Sequence, residues 1–180
     1  MRKVLYILGQ LSDDDIEWLM HAGNRRRIPA GTVLIREGKP VDALYIVLEG
    51  LLAITVAALD GKEVDRCGCG EIVGEMSFVD ALPPSATVTA VQDSVVLSVP
   101  RATLAKHLAQ DTGFAARFYR ALAVFLSDRL RHTTRKAAAW AGKELDEHST
   151  ADDELDPSVL DNVHLAGARF DLILKRLMGS

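Results

Sequence analysis

The stretch GEMSFVDALPPSATVTA, Gly74–Ala90, decides how the rest of the chain is read. It opens on a Gly-Glu pair, passes through a short apolar segment, turns at Pro83 and Pro84, and ends as an alternating strand. A glycine, a tight turn and neighbouring backbone amides are what a loop needs to wrap an anion. Yet no lysine or arginine occurs between Cys67 and Pro100, so this cradle has no cation of its own. Its closing alternation has the period of a half-buried β-strand, and its surroundings repeat that period.

Runs of the same kind fill the chain from Arg25 to Pro100: TVLI from Thr32, ALYIVLEG from Ala43, LLAITVAAL from Leu51, EIVG from Glu71 and SVVLSV from Ser94. Turn residues separate them, and Asp60-Gly61 in LDGKE is the strongest hairpin signal. Many short strands with no helix between them imply a sandwich or barrel, not βαβ units. Helical patterns flank the strands. Ser12, followed by Asp13–Asp15 and IEWLMHAG, reads as a capped helix that Gly23 ends. After Pro100 comes PRATLAKHLAQD, and a long helix begins near Thr112. In it Phe114, Phe118, Leu122, Leu126 and Leu130 recur every fourth residue, with Phe125 beside them. The pattern runs to about Lys143, more than one small β domain can cover, which predicts a homodimer through this helix. Glu144–Asp156 is acidic and poor in apolar groups, the composition of a solvated linker. Pro157 opens a last amphipathic segment with Val159, Leu160, Val163, Phe170, Ile173, Leu174 and Leu177 on its apolar side and Gly167 weakening its middle. That segment must dock on its own domain, a sister chain or a partner protein.

Bulk properties narrow the function. The chain has 180 residues, an apolar fraction of 48% and a formal net charge of −4, so no whole-protein field draws nucleic acid. Arg25–Arg27 reads as a solvated strand start, and no helix-turn-helix with a basic recognition helix follows the long helix; DNA is not an expected partner. No apolar run has the length of a membrane span, and the N-terminus lacks a cleavage site of the signal-peptide kind, so the expected location is the cytoplasm. Cys67 and Cys69 form a C-x-C pair that a strand turns to one side, suiting neither a disulfide nor a complete zinc site. The five histidines are scattered and none lies in the strand region, so no metal site is expected. No nucleophile elbow, Walker loop or dinucleotide fingerprint is present; no catalytic residues and no enzyme activity are expected.

IPAGTVLIREGKPVDALYIVLEG, then GCGEIVGEMSF and PPSATVTA, closely resemble the cyclic nucleotide-binding domain family over about Leu11 to Arg135. The family's spaced glycines stand at Gly31, Gly38, Gly50, Gly70 and Gly74. The resemblance implies an α+β fold, an antiparallel β-roll or jelly roll flanked by an N-terminal helix and a long C-terminal helix. It also implies a domain over 1–135 with its long helix from near 112, a helix end and acidic linker over 136–156, and a terminal helix over 157–180. Gly74–Ala90 then corresponds to the phosphate-binding cassette, with a short helix whose amides face the cyclic phosphate. Glu75 would accept the ribose 2′-hydroxyl while Gly74 lets the sugar approach. Ser85 and Ala86 would offer amides to the phosphate, and Val73 and Val88 apolar contact. Met76, Pro84 and Thr87 complete the cassette's candidate contacts. Thr133 and Thr134 of the long helix would reach the base edge.

Pro84 departs from the pattern, because it stands where the family has the arginine that pairs with the phosphate. A cation is then expected from elsewhere, either Arg66 on the preceding strand or Arg169 in the terminal segment. The implied function is a regulatory sensor that binds cAMP, cGMP or a related small anionic ligand and signals to a protein partner through its C-terminal helices. The alternative is a docking and dimerisation module that kept the fold and lost the nucleotide.

Overall fold

A computed structural model describes residues 8–80, 82–140 and 157–179. Helix α1 (Asp13–Ala22) precedes eight strands: β1 (Asn24–Ile28), β2 (Val33–Ile35), β3 (Ala43–Glu49), β4 (Leu51–Val56), β5 (Lys62–Gly68), β6 (Ile72–Val73), β7 (Thr87–Ala90) and β8 (Ser94–Pro100). Helices α2 (Arg101–Gln110), α3 (Thr112–Trp140) and α4 (Pro157–Met178) follow. The strands form two antiparallel four-stranded sheets, ordered β1-β8-β3-β6 and β2-β7-β4-β5. This is the expected α+β roll.

The two sheets face each other, and β3 shows why its sequence is apolar throughout. Tyr45 and Val47 point between the sheets, to Leu52, Ile54, Val88 and Val96. Leu44, Ile46 and Leu48 point the other way, into a second core formed with the helices. A strand covered on both faces loses the apolar–polar alternation. The expected hairpin forms between β4 and β5, with Asp60 at φ 54° and Gly61 at φ 71°. Gly31, Gly38, Gly50, Gly70 and Gly74 all have positive φ, and two of them also leave no room for a side chain. A Cβ at Gly50 would lie 2.1 Å from Ser94 Oγ, and one at Gly74 would lie 2.8 Å from Ala43 O.

Ser12 caps α1 through a reciprocal pair: Asp15 N–H donates to Ser12 Oγ at 3.2 Å, and Ser12 N–H donates to Asp15 Oδ2 at 2.7 Å. Arg117 of α3 then holds Asp15 with two bonds, 2.6 and 2.8 Å. The helix ends at Gly23 as expected, but in an extended conformation (φ −94°).

The stripe on α3 divides. Phe114, Phe118, Leu122 and Phe125 are buried in the chain's own helical core, where Trp18, Phe78 and His107 surround its first turns. Leu126 is half-buried, and Leu130, expected in the same stripe, is 68% exposed. The reason is geometric: α1, α2 and the cassette cover only the N-terminal half of a 29-residue helix.

Helix α4 docks on the same chain. Ala166 and Ile173 are buried, and Phe170, Leu174 and Leu177 pack against the helical core. Arg169 donates to Asp13 Oδ1 (2.7 Å) and to Leu8 O (2.9 Å), Arg176 donates to Glu17 (3.0 Å), and Arg25 of β1 donates to Leu177 O (3.0 Å). Gly167 does not interrupt the helix. The acidic linker and the side chains of Val159, Leu160 and Val163 lie outside the described residues.

Cys67 and Cys69 do not share a face, contrary to expectation. Strand β5 ends at Gly68, so Cys67 stays buried in the ladder while Cys69, beyond it, is exposed and donates to Leu48 O at 2.9 Å.

Candidate functional site

Between the cassette, the second sheet and α3 lies a cavity of about 190 Å³. Its walls are largely apolar, with Ile35, Ile54, Val56, Val64, Val73 and Val88 from the strands. Glu75, Ser77, Ser85 and Asp65 bring polar groups, and α3 closes one side with Arg129 and Thr133. Gly38 N–H donates to Pro84 O at 2.9 Å, and Thr87 Oγ1 accepts from Glu37 N–H at 3.1 Å, which pins the segment around Ser85 and Ala86. Among the described residues the Ser85 and Ala86 amides meet no acceptor, so they are free to donate to a guest.

The cradle does have a cation. Arg129 Nη1 donates to Glu75 Oε1 at 2.8 Å, and Arg129 Nη2 donates to Cys67 Sγ at 3.6 Å. The guanidinium also lies over the Phe125 ring, 5.5 Å from its centre. Glu75 is 2% exposed and Arg129 19%. Burial pushes the Glu75 carboxyl up, and the Arg129 charge opposes that shift. Burial also works against the Arg129 charge, but Glu75 outweighs it and holds the guanidinium above its ordinary value. Each charge is thus kept by the other. Burial pushes the Cys67 thiol up to about 12, so it sits beside Arg129 as a neutral group.

Neither cation expected from the sequence serves the cavity. Arg66 pairs with Glu63 at 2.6 Å on the exposed strand, three residues away and within easy reach. Arg169 is taken by Asp13 and the Leu8 carbonyl on the far side of the helical layer.

The sequence profile of the cyclic nucleotide-binding domain matches residues 25–111. The chain belongs to the cyclic nucleotide-binding domain family. A solved cyclic nucleotide-binding domain from Methylobacillus flagellatus superposes with a TM-score of 0.67 at 24% identity, covering 74% of this chain and 80% of that one. The N-terminal domain of a transcriptional regulator from Streptomyces coelicolor A3(2) does so with a TM-score of 0.58 at 30% identity, covering 72% and 94%. A CRP-like cAMP-activated global transcriptional regulator of Mycobacterium tuberculosis is 30% identical over 112 residues, 61% of this chain and 48% of that protein. The chain spans a smaller part of other curated relatives: 26% of a Rhodopseudomonas palustris protein named as a potassium channel, and 20% of an NTE family protein of Mycobacterium bovis.

Within this family's frame the cassette contains the expected short helix, a 3₁₀ turn over Met76–Phe78. Val73, Gly74, Glu75, Met76, Pro84, Ser85, Ala86 and Val88 all line the cavity. Thr87 does not, because its hydroxyl is turned to the Glu37 amide. Thr133 lines the cavity but Thr134 does not; both hydroxyls donate to the carbonyl four residues back, at 2.9 Å. Glu75, expected as a ribose acceptor, is engaged by Arg129. Arg129 and Ser77 escaped sequence reading. Ser77 is buried in the cassette turn, with no hydrogen-bond partner for its hydroxyl among the described residues. Arg129 stands on the polar side of the α3 pattern, and nothing local links it to a glutamate 54 positions earlier. No group of three or more metal-ligating side chains occurs among the described residues, and no helix there is long and apolar enough to cross a membrane.

Proposed function

We propose that this chain is a regulatory sensor, in which a small ribose-bearing ligand of the nucleotide class fills the cavity and α3 relays its occupancy. The observation that carries the reading is the shared wall: the carboxylate suited to a sugar hydroxyl belongs to the cassette, while its partner Arg129 belongs to α3. A ligand hydroxyl that donates to Glu75 competes with Arg129 for the same oxygens. Binding therefore changes what holds α3 against the β-roll, and a ligand can shift the helix only through such a difference between states. Helix α4, reached through α3 and clamped on α1, is the element that a protein partner would read.

The protein is further proposed to act as a cytoplasmic homodimer through α3. Tyr119, Ala123, Leu126 and Leu130 are spaced four, three and four residues apart, the spacing of a coiled-coil seam. Tyr119 and Leu130 on that seam are 45% and 68% exposed. Neither catalysis nor direct DNA contact is part of this reading.

Hydrogen exchange along α3, measured with and without a panel of nucleosides and cyclic nucleotides, tests it. Saturable binding that slows exchange from Leu126 to Thr134, and that Glu75→Ala abolishes, is the expected result. If no member of the panel binds, the sensor reading falls and the alternative of a docking module without ligand takes its place.

A further inference from the structure

We infer that the cavity is built for an uncharged nucleoside-type ligand and discriminates against the cyclic phosphate. This inference rests on the sensor reading and adds the charge of the guest.

Three charged side chains line the cavity among the described residues: Asp65, Glu75 and Arg129. Two carboxylates against one guanidinium leave a single net negative charge. Arg129 already spends its charge on Glu75 at 2.8 Å. A phosphate brought into this lining has two costly options. It draws Arg129 away and leaves Glu75, 2% exposed, as a buried carboxylate without its partner. Or it leaves the pair intact and faces Asp65 and Glu75 without a counter-charge. Pro84, at the cassette position nearest the two free amides, contributes only ring carbons.

The remaining polar groups are neutral. They are the Ser85 and Ala86 amides, the unpartnered Ser77 hydroxyl and the Thr133 hydroxyl at the mouth. Such groups satisfy sugar hydroxyls as well as they satisfy an anion, and they suffer no desolvated charge in doing so. The aliphatic walls, with Ile35, Ile54 and Val56, suit the face of a base. A hydroxylated ring joined to a flat apolar base, without a phosphate, matches each of these surfaces at once.

The test is calorimetric titration of the full chain, and of a Pro84→Arg chain, with adenosine, guanosine, cAMP and cGMP at one ionic strength. Pro84 O accepts the Gly38 amide through its backbone, so an arginine there keeps that contact. The unaltered chain is expected to bind a nucleoside about tenfold or more tightly than the matching cyclic nucleotide. Pro84→Arg is expected to raise cyclic-nucleotide affinity by about 10- to 100-fold, the worth of one hydrogen bond to a charged group, and to leave nucleoside affinity unchanged. Equal or tighter binding of the cyclic nucleotide by the unaltered chain overturns this inference and leaves the sensor reading standing. A Pro84→Arg chain with an unchanged thermal midpoint and no gain for either cyclic nucleotide overturns it as well. No heat from any of the four compounds with either chain overturns both.

Discussion

Replacing Arg129 by alanine separates the charge logic of the site from simple packing. The substitution leaves Glu75 inside the cavity wall, 2% exposed, facing the neutral Cys67 thiol and apolar strands. Removing one member of a buried ion pair costs about 3–5 kcal/mol, because the other charge stays desolvated. Arg129 is itself 19% exposed, which places the loss near the lower end, about 3 kcal/mol. With a urea dependence of about 2 kcal/mol per molar, the unfolding midpoint falls by about 1.5 M at neutral pH. Glu75→Gln is milder, since Arg129 can turn its charge toward solvent. The double change Glu75→Gln/Arg129→Met recovers most of the loss, because no buried charge is left behind. Acid rescues Arg129→Ala selectively. Burial raises the Glu75 carboxyl, and without Arg129 nothing opposes that shift. The carboxyl is then protonated at a higher pH than in the unfolded chain, so the penalty is full above the folded value and disappears as pH falls through it. Urea titrations of the four chains at pH 7 and pH 5 read all of this. A loss below about 0.5 kcal/mol for Arg129→Ala at pH 7, the range of ordinary surface substitutions, refutes the argument.

Other outcomes follow from the same structure. Burial pushes the Asp15 carboxyl up, but Arg117 and Ser12 outweigh it and hold it below its unfolded value near 3.8. Its contribution is therefore complete above that value and is lost as pH falls through the folded one. Asp15→Asn should flatten the acid limb of a stability–pH curve while lowering the plateau. Gly74→Ala forces a side chain into positive φ and against the Ala43 carbonyl, and should lower stability by about 2 kcal/mol or more in thermal melts. Leu130→Glu, at a side chain 68% exposed, should leave the monomer's melting unchanged and raise the dissociation constant of the α3 dimer in sedimentation; unchanged self-association removes that seam.

The β-roll was legible because its signals are local. Apolar runs broken by Gly-rich turns, the Asp60-Gly61 hairpin and the Ser12 capping pattern each depend on a few neighbouring residues. Most of the cavity was legible too, since the cassette carries eight of its lining residues in one short span together with Val73 and Val88. What escaped depends on distance in sequence. Arg129 belongs to the site only because α3 packs across the cassette, and Leu130, one residue on, is exposed for the same geometric reason. The placement of Cys69 turned on a single residue, the end of β5 at Gly68. Thr87 fits a ligand-contact pattern equally well whether its hydroxyl meets a guest or the Glu37 amide, and only the fold chooses.

The most direct test is a nuclear magnetic resonance titration of the Ser85 and Ala86 amides. Saturating nucleoside should move both resonances downfield as the free N–H groups acquire acceptors, and Glu75→Ala should remove the shift. Resonances that stay in place through every nucleoside and cyclic nucleotide would mean that the cavity holds no such guest, and the account of this chain as a sensor would be wrong.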